Sequence, residues 1–458
     1  MAFRATFAQI IEILQATPVN FESSQLQRSA DGLTTDTREL NSGSVFLALR
    51  GESFDGHRFI GQAMEKGAIA TIVDTPTETD IPQLQVPDTL AAYQALGRWW
   101  RQQFQIPIIA ITGSVGKTTT KELIASVLGT AGHVLKTEAN YNNEIGVPKT
   151  LLRLTPEHDY AVIEMGMRGR GEIAELAQIA QPDIAVITNV GTAHIGRLGS
   201  REAIAEAKCE LFAEMPDSSL AILNADLPLL MSTAKQVWQG DLISYGLTAG
   251  DLQGHLIDAQ TIELEGESYP LPLEGEHNAL NYLAAVAIAR HLKLDLAPLK
   301  QGITVNLPGG RAQKINLPND VVLLDETYNA GLESMTAALK LLANTPGKRH
   351  IAVLGPMKEL GDHAEALHRE IGELVKTLNL DQLLILDRGF EGNALAQGAQ
   401  SIPTQQFDSH DALIDYLEKA ILKPEGQPVS GDRILFKASN SVGLNRVVSG
   451  LKNRLAKA

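Results

Sequence analysis

"PIIAITGSVGKTTTKE", residues 107–122, decides how the rest of the chain is read. An apolar run enters a turn holding Gly113 and Gly116, and Lys117 and Thr118 follow at once. Strand, glycine turn and helix in that order form a phosphate cradle. Backbone N–H groups face the phosphates, a lysine reaches the terminal ones, and a threonine hydroxyl can ligate Mg²⁺. The general pattern G-x-x-x-x-G-K-[ST] asks for a glycine five places before Gly116, where Ile111 stands. The competing reading is an ordinary turn with a surface lysine. The strand before and the helix after favour a nucleotide site built from Gly113, Ser114, Val115, Gly116, Lys117, Thr118 and Thr119.

The same rhythm continues outward from the loop. "YAVIEM" (160–165) precedes "RGEIAELAQIA", "IAVITNV" (184–190) precedes "REAIAEAKCELFAEM", and "LAILN" (220–224) follows. Apolar strands alternating with amphipathic helices predict a largely parallel sheet covered on both faces. After "LPGGRAQ" (307–313) the rhythm restarts with "VVLLDE", "IAVLG", "LLILD" and "RILFK". Before the loop, "SVFLALRG" and "GAIATIVD" read as strands around a helix, and "TPTETDIPQLQVPDT" (75–89) reads as a linker. The 458 residues fit about three cores. The expected fold is therefore α/β in three domains. An N-terminal unit spans 1–86, a central P-loop-type unit with a mostly parallel sheet spans 87–310, and a Rossmann-like C-terminal unit spans 311–458.

Lys+Arg of 39 against Asp+Glu of 54 gives a net charge of −15. That balance argues against non-specific binding to nucleic acid or anionic membranes, although one phosphate needs only a local nest and a lysine. No apolar run reaches the roughly 18 residues of a membrane span. "MAFRATFAQIIEILQ" spaces its apolar residues like a helix rather than a signal peptide, so a cytoplasmic, monomeric protein is expected. A single cysteine, Cys209, excludes an internal disulfide and a cysteine metal cluster.

Polar residues at the carboxyl ends of these strands are the candidates for chemistry. Glu164 could hold Mg²⁺ beside Thr118, or could be the charge at a helix start. His194 lies in a loop after another strand and by spacing alone reads as solvated. Lys208 is a helical lysine whose ammonium would repel Mg²⁺. Asn278 and Asn281 share one helix face, where amides could read an adenine or simply serve a helix start. Arg311 stands at the turn between the second and third units, while Asp325, Tyr328, Asn329, Lys437 and Ser439 follow strands of the third. Together they suggest a cleft between those two units.

The set "TGSVGKTTTKE", "NYNNEIGVP", "EMGMRGRGEI", "GTAHIGRLGS", "GEHNALN", "PGGR" and "DETYNAGLESM" resembles, in order and across essentially the whole chain, the Mur ligases of bacterial cell-wall synthesis. That family's loop runs T-G-x-x-G-K-T, with no glycine at the place of Ile111. Within the family, "NYNNEIGVP" and the Tyr-Asn of "ETYNAGLESM" are similar to members that add D-alanyl-D-alanine. "TDTRELNSGSVFLALRGESFDGHRFI" (35–60) resembles the shared uridine-nucleotide-binding unit. Three departures fall in the C-terminal unit. Gly331-Leu332 replaces Asn-Pro, Pro356 in "LGPM" replaces Asp, and Ala438-Ser439-Asn440 replaces Gly-Ser-Arg.

The resemblance implies an ATP-dependent amide ligase that activates the carboxylate of a UDP-N-acetylmuramoyl-tripeptide as an acyl phosphate and joins it to D-Ala-D-Ala. It assigns Lys117 to the phosphates, Thr118 and Glu164 to one Mg²⁺, and His194 with a carbamylated Lys208 to a second. A carbamate, unlike an ammonium, is an anionic oxygen ligand. Asn278 and Asn281 would face the nucleotide, with Arg311 and Asp325 meeting it from the C-terminal side. Thr37, Arg38, Asn142, Asn143, Tyr328, Asn329 and Ser439 would meet the two other substrates. A ligase adding a single amino acid, or an ATPase switch without ligation, are the alternative readings.

Overall fold

A computed structural model of the chain describes residues 3–51, 54–318, 320–421 and 431–455. Its central sheet has nine strands, and the loop-bearing strand Ile108–Thr112 lies between Tyr160–Glu164 and Ile184–Ile187. Ile111 is fully buried in that strand, paired with Glu164 on one side and Val186 on the other. A side chain sealed between two strands cannot join a phosphate turn, so the turn begins at Gly113. Seven strands run parallel, ending at Leu252–Asp258, and the hairpin Thr261–Leu264 and Glu267–Pro270 closes that edge antiparallel. The buried helix Glu276–His291 packs against the loop helix Lys117–Leu128.

The C-terminal sheet has six strands, five of them parallel. Asp432–Lys437 sits in its middle, between Val321–Asp325 and Arg349–Leu354. The N-terminal sheet has five strands and corrects the expected linker. Gln83–Gln85 is a strand between Thr17–Val19 and Ala70–Val73, not a tether. Proline and threonine density there marks two turns. Leu84 is fully buried, and the Gln83 amide bonds both N and O of Thr77, so the segment has partners a linker lacks. The helix Thr89–Arg101 packs Ala92, Tyr93 and Leu96 into the same N-terminal core.

Candidate active site

The phosphate turn is held from beneath by the loop that follows strand Ile184–Ile187. Thr188 Oγ1 and Asn189 Nδ2 donate to Val115 O at 2.8 and 2.9 Å, and Asn189 Oδ1 accepts from Val115 N at 3.0 Å. Ser114 N donates to Asn189 O at 3.2 Å, and Ser114 Oγ accepts from Gly191 N at 2.9 Å. A Cβ on Gly113 would stand 1.9 Å from Thr188 Oγ1, so only glycine fits. Gly116, at φ +81°, is the left-handed residue that starts the helix. Ser114 N and Val115 N are tied down, whereas the amides of the helix's first turn, Lys117, Thr118 and Thr119, have no intrahelical acceptor, and the helix dipole there favours an anion.

Glu164 ends its strand and is buried, so it is no helix-start charge. Its Oε1 accepts from Asn142 Nδ2 at 2.8 Å, and Lys121 Nζ lies 3.7 Å from Oε2, which has no hydrogen-bond partner among the described residues. A buried carboxylate oxygen without a donor is costly unless something cationic takes it. Lys121, itself 1 % exposed, also donates to Thr137 O at 2.8 Å and lies 3.2 Å from Glu122. Thr137 Oγ1 accepts from Glu164 N. Lys121, Glu122 and Thr137 escaped the sequence reading, and the visible signal was an adjacent lysine and glutamate at the head of the apolar run that completes the helix.

Three basic side chains, Lys117, Lys208 and His194, lie near one another beside this carboxylate. Lys117 donates to Gly113 O at 2.7 Å. Burial pushes its ammonium below the usual lysine range, opposed by Glu164 and reinforced by Arg311. Lys208 is 1 % exposed, and burial with the charge of Lys117 holds it well below the usual range. Among the described residues its Nζ has no hydrogen bond or ion pair, and only Cys209 opposes the downward shift. Its neighbour Cys209 is buried with its thiol pushed up to about 12, an inert packing residue. His194, at φ +64°, is half-buried, and its Nδ1 lies 2.6 Å from Glu359 Oε2 of the C-terminal unit, off the line of a hydrogen bond. Burial lowers its pKa. Glu359 opposes that shift, and Lys117 and Lys208 add to it.

The C-terminal face meets this cluster. Arg311 stacks its guanidinium 3.6 Å from the Tyr328 ring centroid, leaving its buried Nε without a partner. Asp325 Oδ1 accepts from Thr327 N and Thr327 Oγ1. The buried Lys437 donates to Asn329 O at 3.1 Å, and Ser439 Oγ bonds Ala330 O at 3.4 Å while accepting from Lys358 N. Asn281 lies against the turn, its Oδ1 3.2 Å from a Cβ on Gly116, whereas Asn278 Nδ2 donates to Glu274 O inside its own helix start. Asn143 Oδ1 likewise accepts from Gly146 N. Thr37 and Arg38 stand apart on the N-terminal unit. Thr37 Oγ1 donates to Gln62 Oε1, and Arg38 pairs with Asp36, whose carboxyl it holds down at about 2.

His277, in the first turn of its helix, is another residue that composition did not single out. Burial, with the charge of Lys437, pushes its pKa down to about 4. Unfolded, it titrates near 6.5. Its stabilising neutral form is therefore fully present above pH 6.5 and is lost as pH falls toward 4. Melting temperature is expected to fall across that window by the equivalent of about 3 kcal/mol at most. The variant His277→Gln should flatten the slope, as measured by thermal melts at half-unit pH steps.

Known proteins share this chain's sequence and fold. The family descriptions "Mur ligase family, catalytic domain", "Mur ligase middle domain" and "Mur ligase, glutamate ligase domain" match residues 29–97, 111–289 and 310–440. The UDP-N-acetylmuramoyl-tripeptide–D-alanyl-D-alanine ligase of Synechocystis sp. is 59% identical over 92% of each chain. The crystal structure of MurF from Acinetobacter baumannii superposes with a TM-score of 0.89 at 33% identity, covering 99% of both chains. MurF from Thermotoga maritima, solved in complex with ADP, gives a TM-score of 0.83 at 29% identity over 93% of this chain and 98% of that one. The chain belongs to the Mur ligase family.

Proposed function

We propose that this ATP-dependent ligase joins D-alanyl-D-alanine to the free carboxylate of a UDP-N-acetylmuramoyl-tripeptide, in the cytoplasm and as a monomer. The observation that carries the reading is the meeting, at one sheet edge, of the phosphate turn, the half-satisfied Glu164 and the Arg311–Tyr328 face. Residues 1–86 would take the uridine nucleotide through Thr37 and Arg38. Residues 87–310 would take ATP, and 311–458 would take the dipeptide through Tyr328, Asn329 and Ser439.

A carboxylate is a poor electrophile. Transfer of the γ-phosphoryl group to it gives an acyl phosphate and ADP. The dipeptide amine then attacks that carbonyl, and phosphate departs as the amine loses its proton. Before the first step two anions must approach each other. The Lys117 ammonium offsets their repulsion, and the amides of Lys117, Thr118 and Thr119 bind the phosphate oxygens. Asn281 and Asn278 border the nucleotide, and Arg311 and Asp325 meet it from the opposite side.

The donors present fit Mg²⁺. Glu164 offers a buried oxygen that accepts no hydrogen bond among the described residues and has Lys121 Nζ at 3.7 Å, and Thr118 is buried on the adjoining helical turn. His194 and Lys208 fit a second ion once Lys208 carries CO₂. The free amine adds to CO₂, forms the N–C bond and releases one proton, leaving an anionic carbamate. Bound there, Mg²⁺ would neutralise phosphate charge.

A coupled ADP-release assay tests the reading. Turnover is expected only with UDP-muramoyl tripeptide and D-Ala-D-Ala both present, and single amino acids should not replace the dipeptide. Turnover indifferent to both substrates would overturn it. For the carbamate, ¹³C-bicarbonate should give a carbamate carbon resonance that Lys208→Met removes.

A further inference from the structure

Glu333, in the first turn of helix Leu332–Asn344, reaches from the C-terminal unit to the central one with both carboxylate oxygens. Thr192 N donates to Oε1 at 2.8 Å, and Thr192 Oγ1 donates to Oε2 at 3.2 Å. Thr192 is buried, and a Cβ on Gly191 would lie 2.3 Å from Glu333 Cδ, so glycine is what admits the carboxylate. The segment it grips is the one that supports the phosphate turn, through Gly191 N to Ser114 Oγ and Asn189 to Val115. On its own side, the Glu333 helix begins directly after Tyr328–Gly331, which Lys437 and Ser439 hold at Asn329 O and Ala330 O.

We propose that Glu333 is a positioning residue for the amine-attack step. It fixes the register of the Tyr328–Gly331 segment, and with it the acceptor dipeptide, against the phosphate turn. The inference rests on the ligase reading above. Two charge-assisted bonds give the contact direction as well as strength, and a carboxylate in the first turn of a helix is also favoured by the helix dipole. Attack on an acyl phosphate tolerates little misplacement, and an error of about 1 Å costs on the order of 10²-fold in rate.

Three variants test it: Glu333→Ala, Glu333→Gln and Gly191→Ala. The last inserts a methyl that displaces the carboxylate while leaving every polar group in place. Each is assayed for kcat and KM with D-Ala-D-Ala, for ADP affinity by calorimetry, and for melting temperature. Glu333→Ala and Gly191→Ala are expected to lower kcat/KM for the dipeptide by about 10²-fold, with ADP affinity within about twofold of wild type. Glu333→Gln keeps an acceptor for Thr192 N and should recover most of the loss. Unchanged dipeptide kinetics in both disruptive variants would overturn the role. So would a loss matched by an equal fall in ADP affinity or by a large drop in melting temperature. Wild-type enzyme with no dipeptide-dependent turnover would overturn the ligase reading and this inference together. Active wild type with indifferent variants overturns the inference alone.

Discussion

Replacing Lys117 by methionine is expected to cut D-Ala-D-Ala-dependent ADP release by about a thousandfold while leaving the melting temperature equal or higher. The rate loss follows from the role proposed for Lys117, a charged donor to the phosphates, since preorganised donors of that kind are each worth about 3–4 kcal/mol. The stability effect has the opposite sign because burial disfavours this ammonium. Its folded pKa is lowered, and it donates a hydrogen bond to Gly113 O. The folded protein therefore gives up part of the ammonium's hydration, a cost methionine does not carry. Steady-state assays alongside thermal melts check both halves. A fall in melting temperature equal to that of a core lesion would mean that Lys117 serves the fold rather than the phosphates.

Glu164→Gln should lose activity and stability together. Without the carboxylate, the fully enclosed Lys121 keeps only Glu122 and Thr137 O as counterweights. Breaking a buried pair by neutralising one partner costs about 3–5 kcal/mol, and Glu122 holds the loss near the lower end. Activity should drop at least 10²-fold if this carboxylate holds Mg²⁺ as proposed. The double variant Glu164→Gln, Lys121→Met should regain much of the stability and none of the activity. Denaturant melts of the two proteins separate these effects, and a double variant no more stable than the single one would contradict the pairing.

These two lysines mark what sequence could and could not reveal. Lys117 was legible because its turn has a fixed local context: strand, glycines, helix. Glu164 and His194 were legible only as strand-end residues, since parallel strands deliver their carboxyl ends to one edge. Lys121 was not legible, because its partner lies 43 positions away on a neighbouring strand and the pairing exists only once the sheet forms. Glu333 and Glu359 were missed for the same reason, as each acts across the boundary between two units. The strand Gln83–Gln85 was hidden by flanking prolines, which signal turns but say nothing of the three residues between them. The antiparallel edge after Leu252 lacked the strand-helix alternation that exposed the rest.

The place of Asp432–Lys437 in the middle of its sheet bears on how the protein is made. This strand is the last to leave the ribosome among those of its unit, yet both of its neighbours, Val321–Asp325 and Arg349–Leu354, wait for it. It also delivers Lys437 and Ser439 to the acceptor side. The nascent chain therefore carries the residues of the phosphate turn, and Tyr328 and Asn329 as well, while Lys437 and Ser439, which hold the Asn329 and Ala330 carbonyls, are still unsynthesised. The acceptor segment Tyr328–Gly331 thus gains its two supports only when the last strand of the sheet is in place.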